Sequence, residues 1–166
     1  ILPEVHPRVE KVTRVTGVSI KEKLASFEAI PTKLRNQLLR SMGRFELSQC
    51  RNTLVDRILE LELAFEIALS GPGPEAAISW KVSVRCAQLI GGPVAARQTI
   101  RERVNKLYRL RSKATHGSDL STGDLADLEK TLAEGTGIYQ DLISSLLALG
   151  KEPDWEALEL EARIRE

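Results

Sequence analysis

Apolar positions in this chain recur at helical rather than strand spacing over most of its length. In segment 93–116 they fall at Ile100, Val104, Leu107 and Ala114, stepping four, three and then seven residues. Those steps follow the 3.6-residue period of an amphipathic helix. A first helix is expected over 31–43, opened by Pro31, a favoured first-turn residue, and closed by Gly43. A second, longer helix covers about 46–69 and is ended by Gly71-Pro72-Gly73-Pro74. The third starts at 75 or 79 and runs to 90, before Gly91-Gly92, and the fourth is 93–116. The fifth opens with Ser121 and Asp124 as a cap pair and carries Leu125, Leu128, Leu132, Ile138, Leu142 and Leu146 to Gly150. Gly135 and Gly137 are expected to weaken or kink its middle. A short terminal helix over 155–164 follows Pro153. Residues 1–20 hold two prolines, scattered valines and no period, and 1–30 is read as an extended arm or the remnant of a preceding domain. The expected fold is all-α: an up-and-down bundle of four to five main helices over 31–166 with an irregular N-terminal arm.

Two polar residues interrupt the apolar stripes. Arg111 stands at the missing step between Leu107 and Ala114, in the middle of the apolar face of its helix. Arginine stays protonated in proteins, and a buried, unpaired guanidinium costs several kcal/mol, so an anionic group must meet it. In the second helix, Leu54, Ile58, Leu61, Phe65 and Leu69 mark the core side, and Glu62 projects between Val55 and Leu69. Antiparallel neighbours would join Glu62 to Arg85 of the third helix as a half-buried structural ion pair, with Arg111 as the competing partner for Glu62.

A length of 166 residues fits one domain with a real core, and 42% apolar with 28% charged residues is ordinary globular composition. An aromatic content of 4% argues against a β-sandwich. The apolar runs are too short for a membrane span, and no cationic-apolar leader argues for secretion, so a cytoplasmic location is expected. The first residue is Ile, which suggests a piece of a longer polypeptide. Cys50 and Cys86 lack metal-ligand spacing and read as free, half-buried thiols; no cofactor is expected.

Net charge is only +1, but it is unevenly spread. Residues 97–116 carry seven basic residues against Glu102 alone, a net +6, while 117–166 carry −8 and 1–96 carry +3. One helix thus bears the basic patch expected of a phosphate-binding surface. The plainer account is a solvated helix face neutralised by the acidic C-terminal part.

The chemical inventory is thin. The two histidines are His6, in the irregular arm, and His116, beside Gly117 at the end of the fourth helix. Nothing in the sequence has the context of a glycosidase carboxylate pair, a phosphate-cradling glycine loop or a zinc set. What remains is the stretch LYRLRSKATHG, residues 107–117. It resembles the signature of HEPN domains, an arginine and a histidine four to six residues apart near a helix end, and is most similar to the Apea-like group, which reads LRS, two residues, an apolar residue and HG. Thr115 stands here in place of the usual apolar residue. The resemblance extends upstream through ELELAFEIALSG and SWKVSVRCAQLIGG, covering about residues 46–117.

The resemblance implies a metal-independent endoribonuclease in which the RNA 2′-OH is the nucleophile. His116 would move the proton, as imidazole is suited to do near neutrality. Arg111 would hold two phosphate oxygens through its planar fork. Ser112, four residues before His116, would orient the imidazole, and Lys106, Arg109 and Lys113 would follow the RNA backbone. It further implies a homodimer built on the helix carrying Arg111, with Ile100, Val104 and Leu107 as an intermolecular seam. An upstream sensor domain, and a role in phage defence or as a toxin, are implied as well. The alternative within the family is a non-catalytic module that binds RNA or a protein partner.

Overall fold

In a computed structural model the described residues are 17–71, 77–115 and 122–164, and they fold as an all-α bundle of seven helices with no strand among them. The helices are α1 (Gly17–Ala29), α2 (Thr32–Cys50), α3 (Leu54–Ala68), α4 (Ile78–Ile90), α5 (Val94–Thr115), α6 (Thr122–Leu149) and α7 (Trp155–Ile164). No helix among these residues is long and apolar enough to cross a membrane.

Helices α3 and α6 form the centre. α3 packs on α2, α4, α5 and α6, and α6 packs on α1, α3, α4 and α5. Leu61, Ala64, Phe65 and Ala68 of α3 have no exposed surface, and Leu128, Leu142 and Leu146 of α6 are equally buried. Polar stitches fix the register between layers. The Gln37 amide donates to the carbonyls of Ile67, Ala68 and Ser70, tying α2 to the C-terminal end of α3. The Ser41 hydroxyl lies 2.7 Å from the Ala64 carbonyl and 2.6 Å from the Tyr139 hydroxyl, joining α2, α3 and α6. The Tyr139 ring stacks on Phe45 and meets Phe65 edge-on.

Several boundaries differ from the sequence expectation. Residues 17–29, read as part of an extended arm, form α1, and Ile30 lies in the core at 2% exposure. The rest of the expected arm, 1–16, lies outside the described residues. Gly43 does not end a helix: α2 continues to Cys50, with open space where a side chain would stand. The break comes at Thr53, whose side chain caps α3 by accepting from the Asp56 amide at 3.0 Å and donating to the Asp56 carboxylate at 2.7 Å. α6 runs 28 residues without interruption through Gly135 and Gly137. At Gly135 an added Cβ would lie 2.9 Å from Leu61 Cδ2 and 3.3 Å from Leu107 Cδ1. Here glycine is a spacer, permitting α3, α5 and α6 to converge.

The terminal helix is latched rather than appended. Trp155 is 4% exposed, and the Arg85 guanidinium lies 4.7 Å from the centre of its ring. Arg85 also donates to Glu159 at 2.8 Å through Nε and to the Leu69 carbonyl at 2.6 Å through Nη1. A Cβ on Gly71 would overlap the Trp155 indole, so the chain passes the ring only with glycine at that position.

Candidate functional site

Helix α5 buries one face and presents another along the edge of α3. Val104 and Leu107, at 2% and 1% exposure, are part of the core of this single chain, with Ile100 packed beside them. The expected intermolecular seam is thereby corrected: those apolar side chains are already covered by α3 and α6, so they are not free for a second copy.

One step round the helix, Tyr108 and Arg111 face α3, where Glu62 and Glu66 are one turn apart. The spacings match, three residues on α5 against four on α3, so two polar pairs form across one interface. Arg111 Nη1 donates to Glu62 Oε1 at 3.0 Å, and the Tyr108 hydroxyl donates to Glu66 Oε1 at 3.2 Å. This corrects the expected Glu62–Arg85 pair. Arg85 instead meets Glu159 of α7, a partner near the far end of the sequence.

The Glu62–Arg111 pair is asymmetric. The Glu62 side chain is 1% exposed, whereas that of Arg111 is 42% exposed. Among the described residues, Glu62 Oε2 is buried without a hydrogen-bond partner. Burial, reinforced by the nearby Glu66 charge and opposed by Arg111, pushes the Glu62 carboxyl up to about 7. Burial likewise pushes the Tyr108 phenol far up, so it stays a neutral donor. One α3 carboxylate therefore anchors the root of a guanidinium whose other side reaches the surface.

That surface is concave. An open groove of about 930 Å³ is lined by Arg109, Arg111 and Ser112, with Tyr108 behind them. Asn105 and Glu102 extend it towards the start of α5, and Ser79 closes it from α4. Arg111, Arg109 and Ser112, picked from the sequence, thus share one concavity. Lys106 is not among its lining residues; it pairs with Asp127 of α6 at 3.1 Å, and Arg103 approaches Glu134 at 3.7 Å. The acidic C-terminal segment therefore neutralises part of the basic patch, as the plainer account expected. His116 and the Lys113 side chain lie outside the described residues, so the offset between Arg111 and His116, and the role of Ser112 towards that imidazole, are not described.

Sequence reasoning missed the Tyr108–Glu66 pair, and with it Ser79, Glu102 and Asn105 as groove residues. The matching spacing of Glu62/Glu66 and Tyr108/Arg111 was available as a signal. Which faces of α3 and α5 meet was not. Chemically, the described lining offers two guanidinium groups, three hydroxyls, an amide and one carboxylate. The guanidinium groups suit an oxyanion and the polar remainder suits hydrogen bonding around it. No protein-family model matches the chain, and neither a curated protein nor a solved structure is detectably similar to it.

Proposed function

We propose that this chain is a metal-independent endoribonuclease of the HEPN type, with Arg111 as its phosphate-binding residue. One observation carries the reading. The arginine of the RS-x-x-x-HG motif stands half-exposed in the wall of a groove, anchored from behind by a buried glutamate and flanked by Arg109 and Ser112. An arginine needed only to neutralise Glu62 would not require a second cation and a hydroxyl in the same concavity.

The reaction follows from what RNA brings. His116 takes the proton of a 2′-OH as O2′ bonds to phosphorus. Arg111 stabilises the added charge of the phosphorane, and the P–O5′ bond breaks with a proton delivered to O5′. The products are a 2′,3′-cyclic phosphate and a 5′-hydroxyl. Ser112 positions the imidazole, and Arg109 and Lys113 hold the neighbouring backbone. A homodimer, an upstream sensor domain and an effector role in phage defence or as a toxin belong to the same proposal and rest on the resemblance alone, and a cytoplasmic location is proposed with them. Any dimer uses a face of α5 other than Val104 and Leu107.

The Glu62–Arg111 pair is also the observation that favours the second reading, a non-catalytic module that binds RNA or a protein partner, because an ion pair is what a purely structural arginine would make. Incubation of the purified chain with mixed RNA, with and without EDTA, separates the two. Cleavage that persists in chelator, spares DNA and leaves 2′,3′-cyclic ends is expected. His116→Ala and Arg111→Ala should each lower it by at least ~10²-fold, the scale of a lost proton-transfer or charge-stabilising group. His116→Ala should leave the thermal midpoint unchanged. Chelator-sensitive cutting, or an active His116 variant, overturns the mechanism; RNA binding without cleavage supports the second reading.

A further inference from the structure

Arg111 has a resident counter-ion, and any phosphate entering the groove must compete with it. Glu62 accepts one hydrogen bond from Arg111, and its second oxygen is buried without a partner among the described residues. A carboxylate so placed is held in its ionised form mainly by the guanidinium, because its second oxygen is buried and meets no other donor among the described residues. We propose that phosphate binding at Arg111 is coupled to protonation of Glu62: the incoming oxyanion takes over the guanidinium, and the carboxylate left behind takes up a proton. The coupling rests on the phosphate-binding part of the proposed function, and it adds a regulatory input, proton concentration, to the same site.

The surrounding charges set its direction. On its own helix Glu62 faces Glu66, a like charge one turn away, and from α5 it faces Arg111 and the neutral Tyr108 hydroxyl. From the other packed helices no cation among the described residues acts appreciably on Glu62. Arg44 and Arg51 of the α2 end are held by Glu60, and Arg85 of α4 by Glu159. On α6, Glu134 approaches Arg103 and the Tyr139 hydroxyl meets Ser41. Arg111 is therefore the one cation acting strongly on Glu62 among the described residues. A bound phosphate weakens that attraction and adds a second like charge, and both effects favour the protonated acid. The Glu62 carboxyl already lies at about 7, so the exchange falls within an accessible pH range. Reciprocally, acidification removes the competitor and tightens phosphate binding.

The probe is a fluorescent single-stranded RNA oligonucleotide on His116→Ala protein, which removes cleavage and the histidine's own titration. Anisotropy at constant ionic strength should show binding roughly five- to tenfold tighter at pH 6 than at pH 8.5, the consequence of a shift approaching one pKa unit on binding. In the Glu62→Gln, His116→Ala double variant that dependence should disappear. Calorimetry of the His116→Ala protein at pH 7.5, in two buffers of different ionisation enthalpy, should register net proton uptake, and it decides the matter even where the glutamine variant does not fold. Binding without proton uptake, or a pH dependence kept in the double variant, overturns the coupling while leaving a ribonuclease that cuts RNA intact. Proton-linked binding by a chain that never cuts RNA supports the coupling and removes the catalytic reading. Absence of RNA binding at either pH overturns both.

Discussion

Glu62 shows how one side chain in the α3–α5 interface carries cost and purpose together. Its carboxyl is raised from its ordinary value to about 7 in the folded chain, so the folded state binds its proton more tightly than the unfolded chain does. The stabilising preference for the protonated acid is complete below the unfolded value and is lost as pH rises through about 7. Relative to Glu62→Gln, which cannot ionise, the native chain should therefore lose on the order of 3 kcal/mol between pH 4.5 and pH 8. Urea denaturation of both proteins across that range measures the difference, and parallel pH profiles would show that Glu62 does not titrate as described. An intrusive glutamate in α3 and an intrusive arginine in α5 were both legible in the sequence. Their pairing was not, because Arg85 and Arg111 satisfy the same periodicity and only the docking of α7 takes Arg85 away.

At the scale of elements, the glycines of α6 divide by what stands opposite them. A Cβ at Gly135 would press into the fully buried Leu61 and against Leu107, whereas at Gly137 nothing lies within 4 Å. Gly135→Ala should destabilise by about 1–3 kcal/mol, the usual scale of overpacking. Gly137→Ala should stabilise by up to ~1 kcal/mol through helix propensity. Thermal or urea unfolding of the two variants tests the pair, and equal shifts would mean that the helices do not converge at Gly135. This division also explains which helix ends were readable. α3 ends at Ala68 and α4 at Ile90, close to where the sequence put those ends; Gly91 and Gly92 adopt positive φ, whereas Pro72, Gly73 and Pro74 lie outside the described residues. Gly43 did not stop a helix, because a solvent-facing glycine costs a helix only about 1 kcal/mol, less than the packing of α2 against α3 returns. α1 was unreadable from its pattern: Ile20 and Leu24 are about half exposed, so no apolar face announces it.

Across the whole molecule, the two faces of α5 should respond to charge in opposite ways. Val104→Glu places a carboxylate inside the single-chain core and should abolish helical structure, as an unpaired buried charge costs several kcal/mol. Arg109→Glu, at an exposed groove position, should keep the circular dichroism of the native chain while weakening RNA binding and lowering its salt dependence by about one phosphate contact. A folded Val104→Glu protein would mean that this face is a surface after all. The charge asymmetry seen in the sequence takes on a structural meaning at this scale: Asp127 and Glu134 of the acidic segment meet Lys106 and Arg103, so α6 neutralises the middle of the basic face of α5.

The latch that holds α7 gives the chain two optically distinct indoles. Trp155 is sealed against a guanidinium and beside Gly71, whereas Trp80, the other tryptophan of the sequence, is half-buried on α4 next to Ser79 of the groove wall. Trp80 is not among the residues lining the groove, so Trp155 is the indole whose emission follows a defined event, the departure of the terminal helix. Intrinsic fluorescence of the unlabelled protein therefore carries a signature for fraying of the C-terminal helix, read against the half-buried Trp80 as background.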